Sequence, residues 1–352
     1  MDEQPRILIC RLSHIGDCIL TLPMVNAIRE RFPCAFIAWA VEAPSDQLLA
    51  LHPGIDRLIR VPKNWLKKPS CWGTLLGDLR QHRFDIAFDP QGITKSALLG
   101  WLSGARRRVG AKGRWGRELS VLLNNELIET NGAHLVDRSL ELLRPVEIPT
   151  HDIKFNLPIC VDSQQQVEQF LNRQSLESDF MLINPGASWA SKRWEVERFA
   201  SVAEAAWRQF AIRSVVTWAG AEEHAMAATI HRLSPESTVV ADKTSLRQLA
   251  ALCQKATCFI GCDTGPLHIA AAVGTPCIGL YGTTRPEESG AYGDQHIAIQ
   301  KSYQAGSCRQ RRTAENRAMQ LIQVADVLPA IEQILSQPIA TSLPMEYPQA
   351  GC

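Results

Sequence analysis

The sequence lacks the short signatures of the commonest metal, nucleotide and dinucleotide sites. It contains no HExxH, Walker A or GxGxxG motif, and none of its 11 cysteines forms a CxxC pair. We therefore expect buried free thiols rather than disulfides or a zinc site. No metal and no cofactor are predicted.

A strong charge of one sign and a long apolar run are also missing. The formal net charge is +1 at pH 7, which gives no reason to expect DNA or RNA as a partner. No apolar run approaches the roughly 18 to 20 residues that span a bilayer. The polar start Met1-Asp2-Glu3-Gln4-Pro5-Arg6 is unlike a signal peptide. These features predict a cytoplasmic protein that meets anionic ligands with local basic segments.

What the sequence does contain is an alternation of short apolar strands and amphipathic helices, in two series. This alternation predicts α/β architecture with parallel sheets covered by helices on both faces. Strands are predicted over 6–12, 35–41, 57–61 and 84–89, then over 180–184, 214–218, 238–241, 257–261 and 276–281. Helices are predicted over 24–32, 72–82, 93–103, 135–144, 196–210, 222–233, 245–254 and 267–273.

The two series imply two doubly wound domains, because 352 residues exceed what one core usually spans. Prolines interrupt the pattern between residues 146 and 160, which we interpret as a linker. The predicted domains are 1–157 and 158–336, and the polar, proline-containing tail 337–352 is expected to be poorly ordered. Ligands bind at the carboxyl ends of strands in such sheets, so the two domains would face each other across a shared cleft.

The most informative segment runs from the strand at 257–261 through Asp263-Thr264-Gly265-Pro266-Leu267-His268 into an alanine-rich helix. The backbone N–H groups and the dipole at a helix N-terminus favour phosphate or diphosphate. Pro266 suits the first turn, where no N–H is needed. His268 could face the phosphate, although a lone histidine is more often a packed core residue. The segment predicts a phosphorylated ligand.

Three other loops follow predicted strands in the second series. Pro185-Gly186-Ala187-Ser188, with Lys192 and Arg193 shortly after, combines small residues, a hydroxyl and cations that could neutralise a diphosphate. Glu222 or Glu223 could accept hydrogen bonds from ribose, or could simply complement a helix N-terminus. The segment 279–286 supplies further hydroxyls and a cation.

In the first series, Asp17 follows the first strand in Arg11-Leu12-Ser13-His14-Ile15-Gly16-Asp17. It could act as a general base at the sheet edge, or could only complement a helix dipole. Lys95 and the basic stretch 106–117, including Arg107 and Lys112, would suit an anionic acceptor, although a charge run is usually a solvated surface. Lysines interleaved with Trp65 and Trp72 could similarly rest on an anionic membrane. These lysines are Lys63, Lys67 and Lys68.

Taken together and in this order, the blocks resemble family-9 glycosyltransferases, the ADP-heptose:lipopolysaccharide heptosyltransferases. The resemblance covers about residues 6–335 and includes Tyr281-Gly282-Thr283-Thr284-Arg285-Pro286-Glu287 as well as the blocks above. It implies the GT-B fold, with the acceptor held mainly by the first domain and the nucleotide sugar by the second. Many members carry a C-terminal cysteine cluster, of which only Cys308 remains here.

The resemblance also implies site residues and a reaction. Asp17 matches the catalytic base, and the ribose glutamate falls at Glu222 or Glu223, with Glu223 preferred. The donor-binding set would comprise Ser188, Lys192, Glu223, Asp263, Thr264, Gly265 and His268. The expected reaction is inverting, metal-independent transfer from ADP-heptose to a lipid-linked anionic glycan of the lipopolysaccharide inner core. Peripheral contact with the inner membrane is expected separately, from the lysines and tryptophans described above.

Two alternatives remain open from the sequence. One is a GT-B transferase or a sugar epimerase that uses another nucleotide sugar, such as a UDP- or GDP-linked one. The other is a catalytically silent nucleotide-binding or assembly protein, which the presence of both Asp17 and Lys192 disfavours.

Overall fold

The computed structural model describes residues 4–149, 153–176 and 179–336. Contacts divide the chain into two compact units, with the division between Pro158 and Ile159. The predicted tail 337–352 lies outside the described residues, so its expected disorder stays a prediction.

The first unit is an α/β layer structure built on one parallel sheet. Its strands are β1 Arg6–Cys10, β2 Phe36–Val41, β3 Arg57–Arg60, β4 Ile86–Asp89, β5 Arg107–Ala111 and β6 Glu126–Ile128. Its helices are α1 Ile15–Ile19, α2 Leu22–Arg31, α3 Asp46–Leu49, α4 Trp72–Arg80, α5 Thr94–Leu102, α6 Ser120–Leu123 and α7 Leu135–Glu141. Short 3-10 helices occupy Trp65–Lys67, Pro69–Cys71, Gly113–Trp115 and Arg144–Val146.

The second unit repeats this construction. Its strands are β7 Phe180–Asn184, β8 Arg213–Val216, β9 Thr238–Val240, β10 Cys258–Cys262, β11 Cys277–Leu280 and β12 Ile297–Ile299. Its helices are α8 Val161–Arg173, α9 Val196–Phe210, α10 Gly220–Leu233, α11 Leu246–Lys255, α12 Gly265–Ala272, α13 Pro286–Ser289, α14 Cys308–Thr313, α15 Arg317–Gln320 and α16 Val324–Ser336, and a 3-10 helix covers Ala190–Lys192.

Both sheets have the same strand order. The first reads β3-β2-β1-β4-β5-β6, and the second, read from its other edge, β9-β8-β7-β10-β11-β12, with every pair parallel. This is the doubly wound Rossmann order. The chain adds its first three strands towards one edge of the sheet, returns to the centre, and adds the last three towards the other edge. The loops after β1 and β4, and those after β7 and β10, therefore flank the crevice where such sheets bind ligands.

Each unit has its own apolar core beneath these loops. In the first, Leu8, Trp65 and Leu79 are among the buried residues that pack on the sheet. In the second, Met181, Phe199 and Ile331 belong to the corresponding cluster. Near-continuous burial along β1, β4, β7 and β10 reflects central parallel strands covered on both faces. The ten cysteines within the described ranges are free thiols.

All nine predicted strands are present. The structure has three more, β5, β6 and β12, which the sequence analysis did not predict. β5 opens with two arginines, so the segment was interpreted only as a basic surface. β6 and β12 are three-residue strands at sheet edges, too short for an alternating pattern to stand out. Eight helices also lay outside the predicted set, namely α1, α3, α6, α8, α13, α14, α15 and α16. Six of them have only four to six residues, too few to show a helical period, whereas α8 and α16 have 13 residues each.

Candidate active site

In the second unit, a buried ionic cluster joins the loops that follow β7 and β10. The Lys192 ammonium donates to Asp263 twice, to the carboxylate Oδ2 at 2.7 Å and to the backbone carbonyl at 3.0 Å. His268 Nε2 lies 3.3 Å from the other carboxylate oxygen, Oδ1. The two loops are brought together because β7 and β10 are neighbours in the sheet, although the residues are 71 positions apart.

The electrostatics of this cluster centre on Asp263, whose side chain is only 6% exposed. Burial by itself would raise the pKa of this carboxyl, but the nearby Lys192 ammonium and the contact with His268 hold it well below its usual range. Asp263 is therefore a carboxylate at neutral pH, and it fixes the position of the lysine that follows the β7 loop.

The turn after β10 leaves a helix N-terminus available to a ligand. Thr264 is the N-cap of α12, but its side chain does not cap the helix and its hydroxyl donates instead to the Cys262 carbonyl at 3.2 Å. Pro266 lies in the first turn, as predicted. No side-chain cap therefore competes for the first-turn N–H groups, and the helix dipole favours an anion there.

The two glutamates at the start of α10 have different surroundings. Glu222 is 66% exposed and accepts from the Arg193 guanidinium, with Nη2 and Oε2 at 2.9 Å. Glu223 is part-buried, and its Oε2 accepts from the Ala219 N–H at 2.7 Å. Burial raises the pKa of Glu223, whereas the hydrogen bonds from Arg193 lower that of Glu222.

The position of the Glu223 side chain explains why residue 186, in the loop after β7, is a glycine. A Cβ placed on Gly186 would lie 2.2 Å from the Glu223 carboxyl carbon, so the loop backbone and this side chain touch directly. Glu223 thus lies against the loop that leads to Lys192. Ser188, in the same loop, is exposed.

In the first unit, Asp17 lies in α1, just after the end of β1. Its Oδ2 is 2.8 Å from Nη2 of Arg11, and its side chain is one-third exposed. The same oxygen is 3.4 Å from the His14 N–H. The other carboxylate oxygen, Oδ1, takes part in neither contact.

Arg11 is a neighbour of Asp17 that the sequence analysis did not single out as a site residue. It is buried, and Nη1 donates to the Pro90 carbonyl after β4 at 2.8 Å. Its own carbonyl accepts from the Trp39 indole at 2.8 Å. The guanidinium thus bridges the loops after β1 and β4. A buried arginine at a strand end, six residues before a carboxylate, was the available signal.

The predicted acceptor cations are not brought to one place. Lys95, in the first turn of α5, forms an ion pair with Glu42, which follows β2. Lys112 is exposed just beyond the carboxyl end of β5. Arg107 begins β5, and so lies at the amino edge of the sheet. Its guanidinium makes a two-bond contact with Glu126 of β6, at 2.6 and 2.8 Å.

The ion pair between Arg107 and Glu126 shows that part of the basic stretch 106–117 has a structural role. Arg108 likewise donates to the Leu123 and Ala105 carbonyls at 2.8 Å each. Arg107 therefore joins β5 to β6, and Arg108 joins the start of β5 to α6 and to the preceding loop. Neither forms one surface with Lys112, which lies beyond the opposite end of β5.

The predicted lysine and tryptophan surface needs a correction. Trp65 is 1% exposed and belongs to the core, so it does not face a membrane. Trp72 is 45% exposed, and its indole donates to the Trp65 carbonyl at 2.9 Å. Helices long and apolar enough to cross a bilayer are not found in the described ranges. Groups of three or more side chains able to hold a metal ion are likewise not found there.

Comparison with known proteins shows which family this chain belongs to. The profile of glycosyltransferase family 9 (heptosyltransferase) matches residues 72–319, well over half of the chain. The chain belongs to glycosyltransferase family 9. It is a glycosyltransferase, and the sequence resemblance is confirmed.

Relatives of this family-9 enzyme match it over most of their length. The lipopolysaccharide core heptosyltransferase OpsX of Haemophilus influenzae is 29% identical over 298 residues, which cover 82% of this chain and 83% of that protein. The crystal structure of a family-9 glycosyltransferase from Veillonella parvula is 23% identical, with a TM-score of 0.79 and coverage of 95% and 98%.

A third relative is the Escherichia coli heptosyltransferase WaaC with ADP-2-deoxy-2-fluoro heptose. It is 22% identical, with a TM-score of 0.74 and coverage of 93% of this chain and 99% of that one. Together with the two six-stranded parallel sheets, these structures confirm the predicted GT-B fold of two Rossmann-like domains.

Proposed function

We propose that this family-9 enzyme transfers a heptosyl group from ADP-heptose to an acceptor in the lipopolysaccharide inner core, with inversion at the anomeric carbon. The observation that carries the proposal is the Lys192–Asp263–His268 cluster beside the uncapped start of α12. It provides the Lys192 cation, backbone donors and a helix dipole at the carboxyl edge of the sheet, which are groups that bind a sugar diphosphate.

In this proposal the second unit binds the donor. Lys192 and the first-turn N–H groups after Thr264 contact the diphosphate, and Gly265 allows its close approach. Glu223 is the better candidate for the ribose, because Glu222 is already engaged by Arg193 and largely exposed, whereas Glu223 contacts the β7 loop. Ser188 is exposed and free to contribute a hydroxyl.

The first unit supplies the base. Asp17 takes the proton from an acceptor hydroxyl while that oxygen forms its bond to the anomeric carbon of the donor. The bond between that carbon and the diphosphate oxygen breaks at the same time, and ADP leaves with both bonding electrons. Positioned general bases of this kind contribute about 100- to 10,000-fold to rate.

Charge that develops on the departing diphosphate would be stabilised by Lys192 and by the α12 N-terminus. Because protein cations and N–H groups supply this stabilisation, the proposed step is metal-independent. Asp263 would hold Lys192 in place through its two hydrogen bonds, and His268 would orient the Asp263 carboxylate.

The acceptor would be a lipid-linked anionic glycan that meets the first unit. Lys112 is exposed at the carboxyl edge of the sheet and can contact it directly. Lys95 would have to exchange Glu42 for the acceptor, and Arg107 is committed to Glu126. Peripheral contact with the cytoplasmic face of the inner membrane would use the exposed Lys63, Lys67, Lys68 and Trp72.

The test is a screen of donors and acceptors with product mass spectrometry. ADP-heptose with a deacylated inner-core acceptor should give a product one heptosyl unit heavier, and ADP should raise the melting temperature more than UDP or GDP. Transfer only from a UDP- or GDP-linked sugar would overturn the donor assignment. Epimerised sugar without transfer would indicate an epimerase, and binding without any product would indicate a silent nucleotide-binding protein.

A further inference from the structure

The short helix α14 places an additional basic segment beside Lys192. Ser191, the residue before this lysine, donates its hydroxyl hydrogen to the backbone carbonyl of Arg311 in α14. Arg311 in turn donates from Nη1 to the Thr283 carbonyl, just after β11, at 2.8 Å. Side-chain and backbone bonds therefore fix α14 against both the Lys192 segment and the β11 loop.

Two cations share one aromatic ring at this junction. The Lys192 ammonium lies 4.8 Å from the centre of the Trp189 ring, and the Arg312 guanidinium carbon lies 5.2 Å from the same centre. The two positive charges are therefore no more than about 10 Å apart. An anion bound close to both cations would offset their mutual repulsion.

The protein provides few negative charges for this cluster. Within the described ranges, no carboxylate lies within 4.0 Å of Arg311 or Arg312. Lys192 has Asp263, but that carboxylate is also in contact with His268. The region is therefore positive overall, and a sugar diphosphate, with one negative charge on each phosphate, would balance it.

Three buried hydrogen-bond donors, in the loop after β11 and on α14, have no partner among the described residues. Thr283 is fully buried, yet its hydroxyl oxygen has no partner among the described residues. The Thr284 hydroxyl and Nε of Arg311 are likewise buried without a partner. Buried donors are nearly always satisfied in folded proteins. These three donors lie in the loop after β11 and on α14, next to the basic segment.

We infer that α14 forms a second basic side of the donor diphosphate site, with Arg312 as a phosphate-binding residue and Arg311 aligned by Thr283. This rests on the proposed binding of a nucleotide diphosphate by the second unit, and assigns that site a residue beyond the loops after β7 and β10. Trp189 holds the Arg312 side chain next to Lys192, so that both cations meet one ligand.

The experiment compares Arg312→Ala with Arg309→Ala by calorimetric titration of the full chain with ADP and with adenosine. Arg309 is the matched control, because it lies exposed on the same helix and has no ring contact with Trp189. Arg312→Ala should weaken ADP binding by about 10-fold or more, the usual effect of losing one charged hydrogen bond. Adenosine binding should not change, and Arg312→Lys should recover part of the loss.

Unchanged ADP affinity in Arg312→Ala would overturn the inference, as would an equal loss in Arg309→Ala or an equal loss for adenosine. Running the same titrations with UDP separates this inference from the donor proposal. If UDP binds in place of ADP and Arg312→Ala weakens it, the ADP assignment fails while the role of Arg312 stands. If ADP binds equally well to the wild-type protein and to Arg312→Ala, the role of Arg312 fails while the donor proposal stands.

Discussion

Replacing Lys192 with methionine should destabilise the second unit, because it leaves the Asp263 carboxylate buried without its main partner. Methionine keeps most of the length and the apolar stem of lysine but removes the charge. Asp263 is 6% exposed and Lys192 14%, so water replaces the lost contact poorly. The variant therefore isolates the electrostatic contribution of one ion pair to folding.

The magnitude follows from the 2.7 Å separation of Nζ and Oδ2. At an effective dielectric constant of about 20, the attraction is about 6 kcal/mol before any desolvation cost. Part of it is offset because both ions leave water on folding, and breaking a buried pair typically costs about 3 to 5 kcal/mol. For a unit of this size, each kcal/mol lowers the melting temperature by about 2 to 4 °C. We expect a fall of about 6 °C or more.

The loss should also depend on pH. In the wild-type protein the pKa of Asp263 is held well below its usual range, so its stabilising effect is complete at pH 7 and is lost only as the pH falls through that low value. Without Lys192, burial becomes the dominant effect and would raise this pKa above its unfolded value. The variant would then lose stability as the pH rises, so its deficit should shrink from pH 7 to about pH 5.

Differential scanning calorimetry at the two pH values measures both effects. Lys255→Met is the matched control, since Lys255 pairs with Glu168 where both side chains are about half exposed, and such pairs contribute about 0 to 1 kcal/mol. Adding Asp263→Asn to Lys192→Met should restore part of the stability. A deficit equal to that of Lys255→Met, or one that is the same at both pH values, would refute the reasoning.

Two further predictions concern positioning and the ribose. Arg11→Lys should lower kcat by about 10-fold while the affinity for ADP stays unchanged, because a point charge cannot bridge Pro90 and Asp17 as the guanidinium does; wild-type kcat in steady-state assays would count against this role. Glu223→Gln should weaken ADP binding by about 10-fold and dADP binding less, whereas Glu222→Gln should leave both unchanged in calorimetry, and the reverse pattern would move the ribose contact to Glu222.

The central strands and their following loops could be predicted from sequence because local chemistry defines them. β1, β4, β7 and β10 are buried along almost their whole length, and such apolar runs are easily recognised. The order Asp263, Thr264, Gly265, Pro266 likewise identifies a helix start after a strand. Local sequence was therefore sufficient for the Rossmann-like architecture and for the position of these loops.

What could not be predicted depends on contacts between distant residues. The sequence marks Arg107 as a cation, but only the pairing of β5 with β6 shows that Glu126 neutralises it. Trp65 was expected at the surface because lysines surround it, whereas its indole packs into the core while the lysines remain outside. The partnership of Lys192 with Asp263 similarly depends on β7 and β10 being neighbours.

The most direct test of the catalytic proposal is the turnover of Asp17→Asn with ADP-heptose and an inner-core acceptor. Asparagine keeps the shape of the side chain but cannot take the acceptor proton, so kcat should fall by about 100-fold or more while calorimetric affinity for ADP is retained. Turnover close to that of the wild-type enzyme would contradict the assignment of Asp17 as the base.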